Sequence, residues 1–431
     1  MLKHLRALES DRRRLKVGVI GCGAMGRGVA LQVAQTPGME LAFIADLADE
    51  AISRTLTAAQ THGIPVNDVK NLPTLAEGQC LTTNDAAALL EADNALGLDV
   101  LVECTNSIAP AARYCLAAIA RKAHVVLMNA EVDLALGQLL AHEAALNDVI
   151  VTSDAGDQHG VLARMIEEIE MWGFRIVQAG NIKGFLDRYQ TAGGLAEEAA
   201  KRNLSPIQCC AYTDGTKLNI EMAVIANALD LSPFVVGMEG PACKDVREVM
   251  SLFDFDAYGD EGRVDYILGA EPGGGVYVVG HCDNPHQIPY LEYYKLGQPP
   301  YYLFYRPYHL CHLETPWAIA EACLFKRALL APPASKKNDV YAFAKTDLPA
   351  GTRIGHAIGG DHLYGMIETT ASASARGAVT MSELESEGGE SPVLLRDVKK
   401  DQPLVAGDIQ IPDSDLQRLL ARQASIGNSA S

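Results

Sequence analysis

The sequence predicts an α/β protein with a doubly wound parallel sheet at its N-terminus, an α+β region in the middle and a small β-rich segment near its C-terminus. Three observations predict this. Between residues 15 and 153, short apolar runs alternate with stretches of helical periodicity, the pattern of parallel strands joined by right-handed crossovers. Past Asp154 that alternation stops and strands and helices are mixed. Past Pro332-Pro333 and the polar run Ser335–Asp339, only short strands and turns are legible, to about Pro412. A chain of 431 residues accommodates the two or three domains this implies.

The elements follow in order. Residues 1–14 are charged and helix-prone, and read as a leader helix. Leu15 to Ile20 reads as a strand, Gly28 to Gln35 as a helix, Glu40 to Asp46 as a strand and Ala48 to His62 as a helix. A helix over Asp85 to Ala92 and a buried strand over Asp99 to Glu103 come next. Helices over Pro110 to Arg121 and Leu134 to Leu146 then alternate with strands over His124 to Met128 and Val149 to Ser153. The first domain is thus expected over 1–153. The second, over 154–332, has helices at Val161 to Trp172 and Thr213 to Leu229. Its strands fall at Arg175 to Asn181, Val264 to Leu268, Val276 to His281 and Tyr301 to Arg306. A helix over 315–331 is placed to return to the first domain. The β-rich segment covers 338–412, and a helix with a Ser-rich tail covers 413–431.

Composition narrows the function classes. Thirty-six basic against fifty-four acidic residues leave a net charge of −18, which argues against nucleic acid or an anionic membrane as main partner. An anionic group on a small substrate needs only a few local cations. No stretch of about 20 apolar residues is present, so no membrane span is expected. The ten cysteines are scattered, without zinc spacing, and read as reduced thiols of a cytoplasmic protein. His281, Cys282 and His286, and then His309, Cys311 and His312, lack ligand spacing, so no metal site is expected there. The last three alternate along an apparent strand end and cannot all face one ion.

The central signal is Lys16-Val-Gly-Val-Ile-Gly21-Cys-Gly23-Ala24-Met25-Gly26. This G-x-G-x-x-G follows an apolar strand, opens a helix and is followed by Asp46 at the end of the next strand, which is the Rossmann dinucleotide fingerprint. Gly21 permits the tight turn, Gly23 lets a pyrophosphate approach the backbone, and Gly26 lets the helix pack on the sheet. The helix N-terminus offers amides and partial positive charge to the phosphates. Asp46 suits a free ribose hydroxyl and repels a 2′-phosphate, which favours NAD over NADP. Two later strand ends, Glu103-Cys104-Thr105-Asn106 and Met128-Asn129-Ala130-Glu131, lie where such sheets hold their ligands. Thr105, Asn106, Asn129 and Glu131 are candidates for the nicotinamide half, with helix capping as the alternative for each.

Hydride transfer also needs a cation or acid at the substrate oxygen. In Tyr212-Thr-Asp214-Gly-Thr-Lys217-Leu-Asn-Ile-Glu221, Asp214 and Lys217 share one face of the expected helix, so the lysine could polarise a carbonyl and the aspartate orient it. An intrahelical ion pair, to Asp214 or to Glu221, is the alternative. Lys183 ends a middle-domain strand as a second cation. Asp157 and His159 lie in the polar connection after Ser153, as substrate contacts or as hinge and cap residues. Arg306, in Tyr305-Arg306-Pro307-Tyr308-His309, could meet an anionic substrate group.

Taken in order, the fingerprint, Asn129-Ala130-Glu131, Gly180-Asn181-Ile182-Lys183-Gly184 and Asp214-Gly-Thr-Lys217-Leu218 resemble homoserine-dehydrogenase-like enzymes. The tail carries an internal echo, Asp347-Leu-Pro-Ala-Gly against Val398-Lys-Lys-Asp-Gln-Pro-Leu, and resembles the SAF domain, a β-clip module. Over roughly 400 residues the chain resembles the SAF-domain subgroup of those enzymes. That subgroup includes DXR-like enzymes, which convert 1-deoxy-D-xylulose 5-phosphate to 2-C-methyl-D-erythritol 4-phosphate with NADPH. Glu131 stands where homoserine dehydrogenases generally carry lysine, which argues against simple homoserine oxidation. The resemblance implies an NAD(P)-dependent oxidoreductase acting on a small polyol, keto-sugar or sugar phosphate, with Lys217, Asp214 and Lys183 in its chemistry and a homo-oligomeric assembly. An amino-acid dehydrogenase and a non-catalytic dinucleotide-binding scaffold are the competing expectations.

Overall fold

The structure, a computed structural model, describes residues 1–201 and 204–429. Two compact units are present. One comprises Met1–Asp157, Leu310–Ala334 and the chain from Leu419 onward; the other comprises Gln158–His309 and Ser335–Arg418.

The first unit is built on a sheet of seven strands. They are β1 (Leu15–Ile20), β2 (Met39–Ala45), β3 (His62–Pro65), β4 (Gln79–Thr83), β5 (Val100–Glu103), β6 (His124–Leu127) and β7 (Val151–Ser153). The order is β3-β4-β2-β1-β5-β6-β7 and every pairing is parallel. Apolar runs such as Val100–Val102 are buried because helices cover both faces of a parallel sheet. The chain order reverses between β1 and β5, so the crevice outside their carboxyl ends is the ligand position of an open α/β sheet.

Two of these strands have no counterpart in the expected elements. β3 is short, half-exposed and carries Gly63 and Pro65, and β4 is half polar, so neither shows the apolar run of a central strand. The helix expected over 315–331 is the helix Cys311–Phe325, which packs on the helix Ala24–Gln35 in the same unit. Cys311 and His312 therefore sit in a first helical turn and not at a strand end. A Cβ at Gly28 would lie 2.5 Å from the His312 ring, so that glycine allows the two helices their approach. The terminal helix Asp415–Ser429 also contributes: Gln423 accepts from Leu139 N at 3.0 Å and donates to Ala135 O at 2.8 Å.

The second unit holds a sheet of order β12-β11-β8-β10-β9. Its strands are β8 (Arg175–Lys183), β9 (Ser232–Pro233), β10 (Arg263–Leu268), β11 (Val276–His281) and β12 (Tyr301–Arg306). β8 pairs parallel with β10 and antiparallel with β11. A Cβ at Gly180 would lie 2.0 Å from the ring of its cross-strand partner Tyr277, so this glycine of the Gly180–Gly184 motif serves packing. The β-rich segment shares this unit. Its main pair is β13 (Asn338–Ala344) with β14 (Leu363–Thr369), antiparallel. The two echoed turn units meet each other: Leu348 and Val398 exchange both backbone bonds, at 2.8 and 2.9 Å.

The helix expected over 213–229 is Thr216–Ala228, starting three residues later than expected; a separate helix that the sequence did not announce, Pro206–Thr213, precedes it across Asp214-Gly215. Gly215 has φ +84°, a left-handed conformation that interrupts a helix without disturbing the apolar spacing on either side. All ten cysteines are free thiols, and no helix among the described residues is long and apolar enough to cross a membrane.

Candidate functional site

At the carboxyl end of β1 the three glycines have distinct surroundings. Gly21 has φ +91°. A Cβ at Gly26 would lie 1.7 Å from Gly21 O, so the helix can start this close to the turn only without a side chain. A Cβ at Gly23 would have no neighbour within 4 Å, so the backbone there faces open space. Gly23 is also the N-cap of the helix Ala24–Gln35, and no side chain caps that end. Its first-turn amides, at Ala24, Met25 and Gly26, are thus offered outward, the arrangement that binds a pyrophosphate. Asp46 follows β2. Its carboxylate accepts from Cys22 N at 2.7 Å and Ala48 N at 2.9 Å, which holds it against the glycine turn. Each oxygen keeps lone-pair capacity for a ribose hydroxyl. The nearby Arg54 is taken by Glu50 at 3.3 Å on the exposed helix surface. These groups fit the adenosine half of a dinucleotide.

The ends of β5, β6 and β7 carry buried carboxyls. Glu103 has no solvent exposure, and burial pushes its carboxyl up to about 7 against its hydrogen bonds from Thr105. Its Oε1 accepts from Thr105 N at 2.9 Å. Asp154, also without exposure, is pushed up to about 7 by burial, while its Oδ2 accepts from Gly156 N at 2.7 Å and Asp157 N at 3.1 Å. Asp133 is raised to about 6 by burial and receives the Ser153 hydroxyl at 2.5 Å. Thr105 is half-buried and Asn106 exposed beside them. Asn129 caps its helix, accepting from Val132 N at 3.1 Å, and donates to Ser107 O at 2.7 Å, so its amide ties two strand ends together. Glu131 lies in the first turn of that helix, nearly buried.

In the second unit two lysines converge. Lys183 ends β8, and its Nζ lies 6.0 Å from the centre of the Tyr212 ring; Lys217 Nζ lies 5.7 Å from the same centre. Tyr212 itself is partly exposed. Asp214, expected to orient Lys217, is directed elsewhere: its Oδ2 lies 2.8 Å from Lys345 Nζ, with neither side chain exposed to solvent. Its Oδ1 accepts from Thr216 N at 2.8 Å, capping the second helix. Burial raises the Asp214 carboxyl and the Lys345 charge pulls it back. Arg306 ends β12. Its register through Val276 to Asn181 puts it at the same end of the sheet as Lys183, and its guanidinium lies 4.8 Å from the Tyr308 ring centre. His159 is in the first turn of the helix Gln158–Met171 and is buried; Asp157 is buried beside Asp154 in the first unit.

Residues 21–154 match the family model of the homoserine dehydrogenase NAD binding domain. Residues 156–315 match that of the oxidoreductase DRL catalytic domain. The chain is an NAD(P)-dependent oxidoreductase. No curated protein matches the oxidoreductase. Among solved structures, a probable dehydrogenase from Thermotoga maritima is similar at 13% identity and TM-score 0.41, covering 75% of this chain and 91% of that one. A hyperthermophilic archaeal homoserine dehydrogenase in complex with NADPH is similar at 13% identity and TM-score 0.41, covering 73% and 99%. The myo-inositol 2-dehydrogenase of Lactobacillus plantarum is similar at 12% identity and TM-score 0.34, covering 62% and 74%.

Sequence reasoning did not single out Lys345, Tyr212, Glu103 or Asp154. Glu103 and Asp154 each follow an apolar strand directly, and a carboxylate in that position signals a buried acid. Tyr212 was legible only as part of the motif around Lys217. Nothing in the sequence ties Lys345 to a residue 131 positions earlier.

Proposed function

We propose that the oxidoreductase transfers hydride between NAD(P) and a small polyol, keto-sugar or sugar phosphate, with NAD favoured by Asp46. The turn Gly21–Gly26 and Asp46 would hold the adenosine and pyrophosphate half; Thr105, Asn106, Asn129 and Glu131 would line the nicotinamide half. When bound, the dinucleotide supplies or accepts the hydride. The chain's own groups handle the substrate oxygen and its proton.

One observation carries the substrate class: Lys183 and Lys217 stand over a single aromatic ring, at 6.0 and 5.7 Å. Each ammonium group is within about 6 Å of the ring centre, so a substrate bound against that ring can meet both. A substrate with a carbonyl and a second oxygen function, a phosphate or a vicinal hydroxyl, satisfies both. Lys217 would give its proton to the carbonyl oxygen as the carbonyl carbon gains hydride, and take it from the hydroxyl in the reverse direction. Lys183 would hold the second oxygen function, and Arg306, at the same sheet end, would add charge for a phosphate. Asp157 and His159 remain the proposed further substrate contacts.

The test is titration with NADH and NADPH in parallel, with and without Mg²⁺ or Mn²⁺, followed by turnover. 1-Deoxy-D-xylulose 5-phosphate, which has both a ketone and a phosphate, is the first substrate, ahead of a polyol and keto-sugar panel. Lys217→Ala is expected to lose turnover by at least a hundredfold with unchanged cofactor affinity. Full activity in that variant refutes the role of Lys217, and cofactor binding without turnover on any of these compounds favours the scaffold reading.

A further inference from the structure

Lys345 follows β13 directly and has no exposed side-chain surface. Its ammonium donates to Gln190 O and Gly360 O, both at 2.7 Å, and faces Asp214 Oδ2 at 2.8 Å. These three acceptors use its three hydrogens, and Cys210 Sγ is the next neighbour at 3.3 Å. A fully buried pair of this kind stabilises a fold no better than apolar residues of the same volume, and its best-attested use is to fix one arrangement among several.

The arrangement fixed here is the start of a helix. Asp214 Oδ1 caps Thr216 N, and the next residue is Lys217. Thr216 Oγ1 accepts from Gly365 N at 2.9 Å, and Asn219 Oδ1 accepts from Ile367 N at 2.8 Å, both on β14. The first turn of the Lys217 helix is therefore bonded at three points to the β-rich segment, through Lys345, Gly365 and Ile367. Tyr212, the ring on which Lys183 and Lys217 meet, lies two residues before Asp214 on the other side of the helix break.

We propose that Lys345 is a positioning residue: through Asp214 it holds the turn between Tyr212 and Lys217 in the geometry that acts on substrate, so the β-rich segment completes the catalytic site from behind. The proposal rests on the reading of Lys217 as the group at the substrate oxygen. It assigns Asp214 to Lys345 and gives it no direct part in the chemistry.

The full chain tests this. Lys345→Met removes the charge at similar length, and the double variant D214N/K345M leaves no unpaired charge. Turnover is followed on whichever compound the wild type converts. The protein is reductively methylated with ¹³C, and the dimethyl-Lys217 resonance, assigned by loss in Lys217→Arg, is followed as a second readout. K345M is expected to lower kcat at least tenfold with unchanged NADH affinity, and to shift the Lys217 resonance and its titration. The double variant, which has neither the pair nor an unpaired charge, should stay as low in kcat as K345M. A merely structural role would lower thermal stability and leave kcat per folded molecule, and the resonance, as in wild type. A folded K345M of that kind overturns the proposal, as does a double variant restored to wild-type kcat, because K345M would then act only through its unpaired Asp214. If K345M does not fold, D214N carries the same two readouts, because a buried lysine can shed its proton. A shifted resonance combined with a fully active Lys217→Ala supports the positioning and overturns the catalytic reading, so the two failures are distinct.

Discussion

Single atoms decide much of what this chain can bind. A methyl group at position 26 would have to occupy space 1.7 Å from Gly21 O, and that neighbour is backbone. Gly26→Ala is expected to displace the first turn of its helix, at a cost of about 1–3 kcal/mol, and to weaken NADH binding by at least tenfold in a fluorescence titration. Asp46 works by charge. Asp46→Ser supplies a hydroxyl that can meet the ribose and removes the repulsion of a 2′-phosphate. The ratio of NADPH to NADH affinity should rise about tenfold or more, near 1.4 kcal/mol, in parallel calorimetric titrations. Both residues were legible in the sequence because their chemistry is local: a spacing of glycines and an acid at the next strand end. Lys345 was not, because its partner is distant in the chain and a lysine after an apolar strand reads as a strand terminus.

Among elements, apolar periodicity located the strands β1, β2, β5, β6 and β7 and the helices between them. It missed β3 and β4, where pairing is decided by neighbours and the strands carry too little apolar side chain to announce themselves. It also left the helix Pro206–Thr213 unassigned and began the next helix at Thr213 instead of Thr216, because Leu218, Met222 and Ile225 mark the apolar stripe but only the backbone shows the break at Asp214-Gly215. Gly215 is the pivot of that break. A Cβ there would meet nothing closer than 3.7 Å, so the cost of substitution is purely conformational. Gly215→Ala should lower unfolding free energy by about 1–2 kcal/mol in urea, from the left-handed backbone alone. Since the break sets the angle between Tyr212 and Lys217, turnover should fall further than stability does.

For the whole molecule, the buried acids at the strand ends set a pH dependence. Glu103 titrates in the folded state at about 7 against an ordinary 4.5, and Asp154 at about 7 against 3.8. The native state therefore holds protons that the unfolded chain has released. The stability these groups contribute is complete below their ordinary values, near pH 4, and is lost as pH rises to about 7. Each acid is worth at most about 3–4 kcal/mol across that window. Urea midpoints should accordingly be higher near pH 5 than near pH 7.5, and Glu103→Gln should flatten the profile. An identical profile in that variant would assign the dependence to other groups, including the general repulsion of a chain with net charge −18.

The clasp of Gln423 on Ala135 and Leu139 gives the order of synthesis a physical meaning. All seven strands of the first sheet are made by residue 153, yet the helix Cys311–Phe325, which belongs to the same unit, is made only after Gln158–His309 of the second unit, and Gln423 only after Ser335–Arg418 as well. The nascent sheet must therefore wait with one helix surface bare, including the groove at Gly28 that His312 later fills. Exposed apolar surface of this kind attracts chaperones and self-association. Chains released before residue 310 should therefore bind dinucleotide weakly and aggregate readily, and a nascent chain stalled beyond residue 429 should be the first to resist protease in its N-terminal sheet.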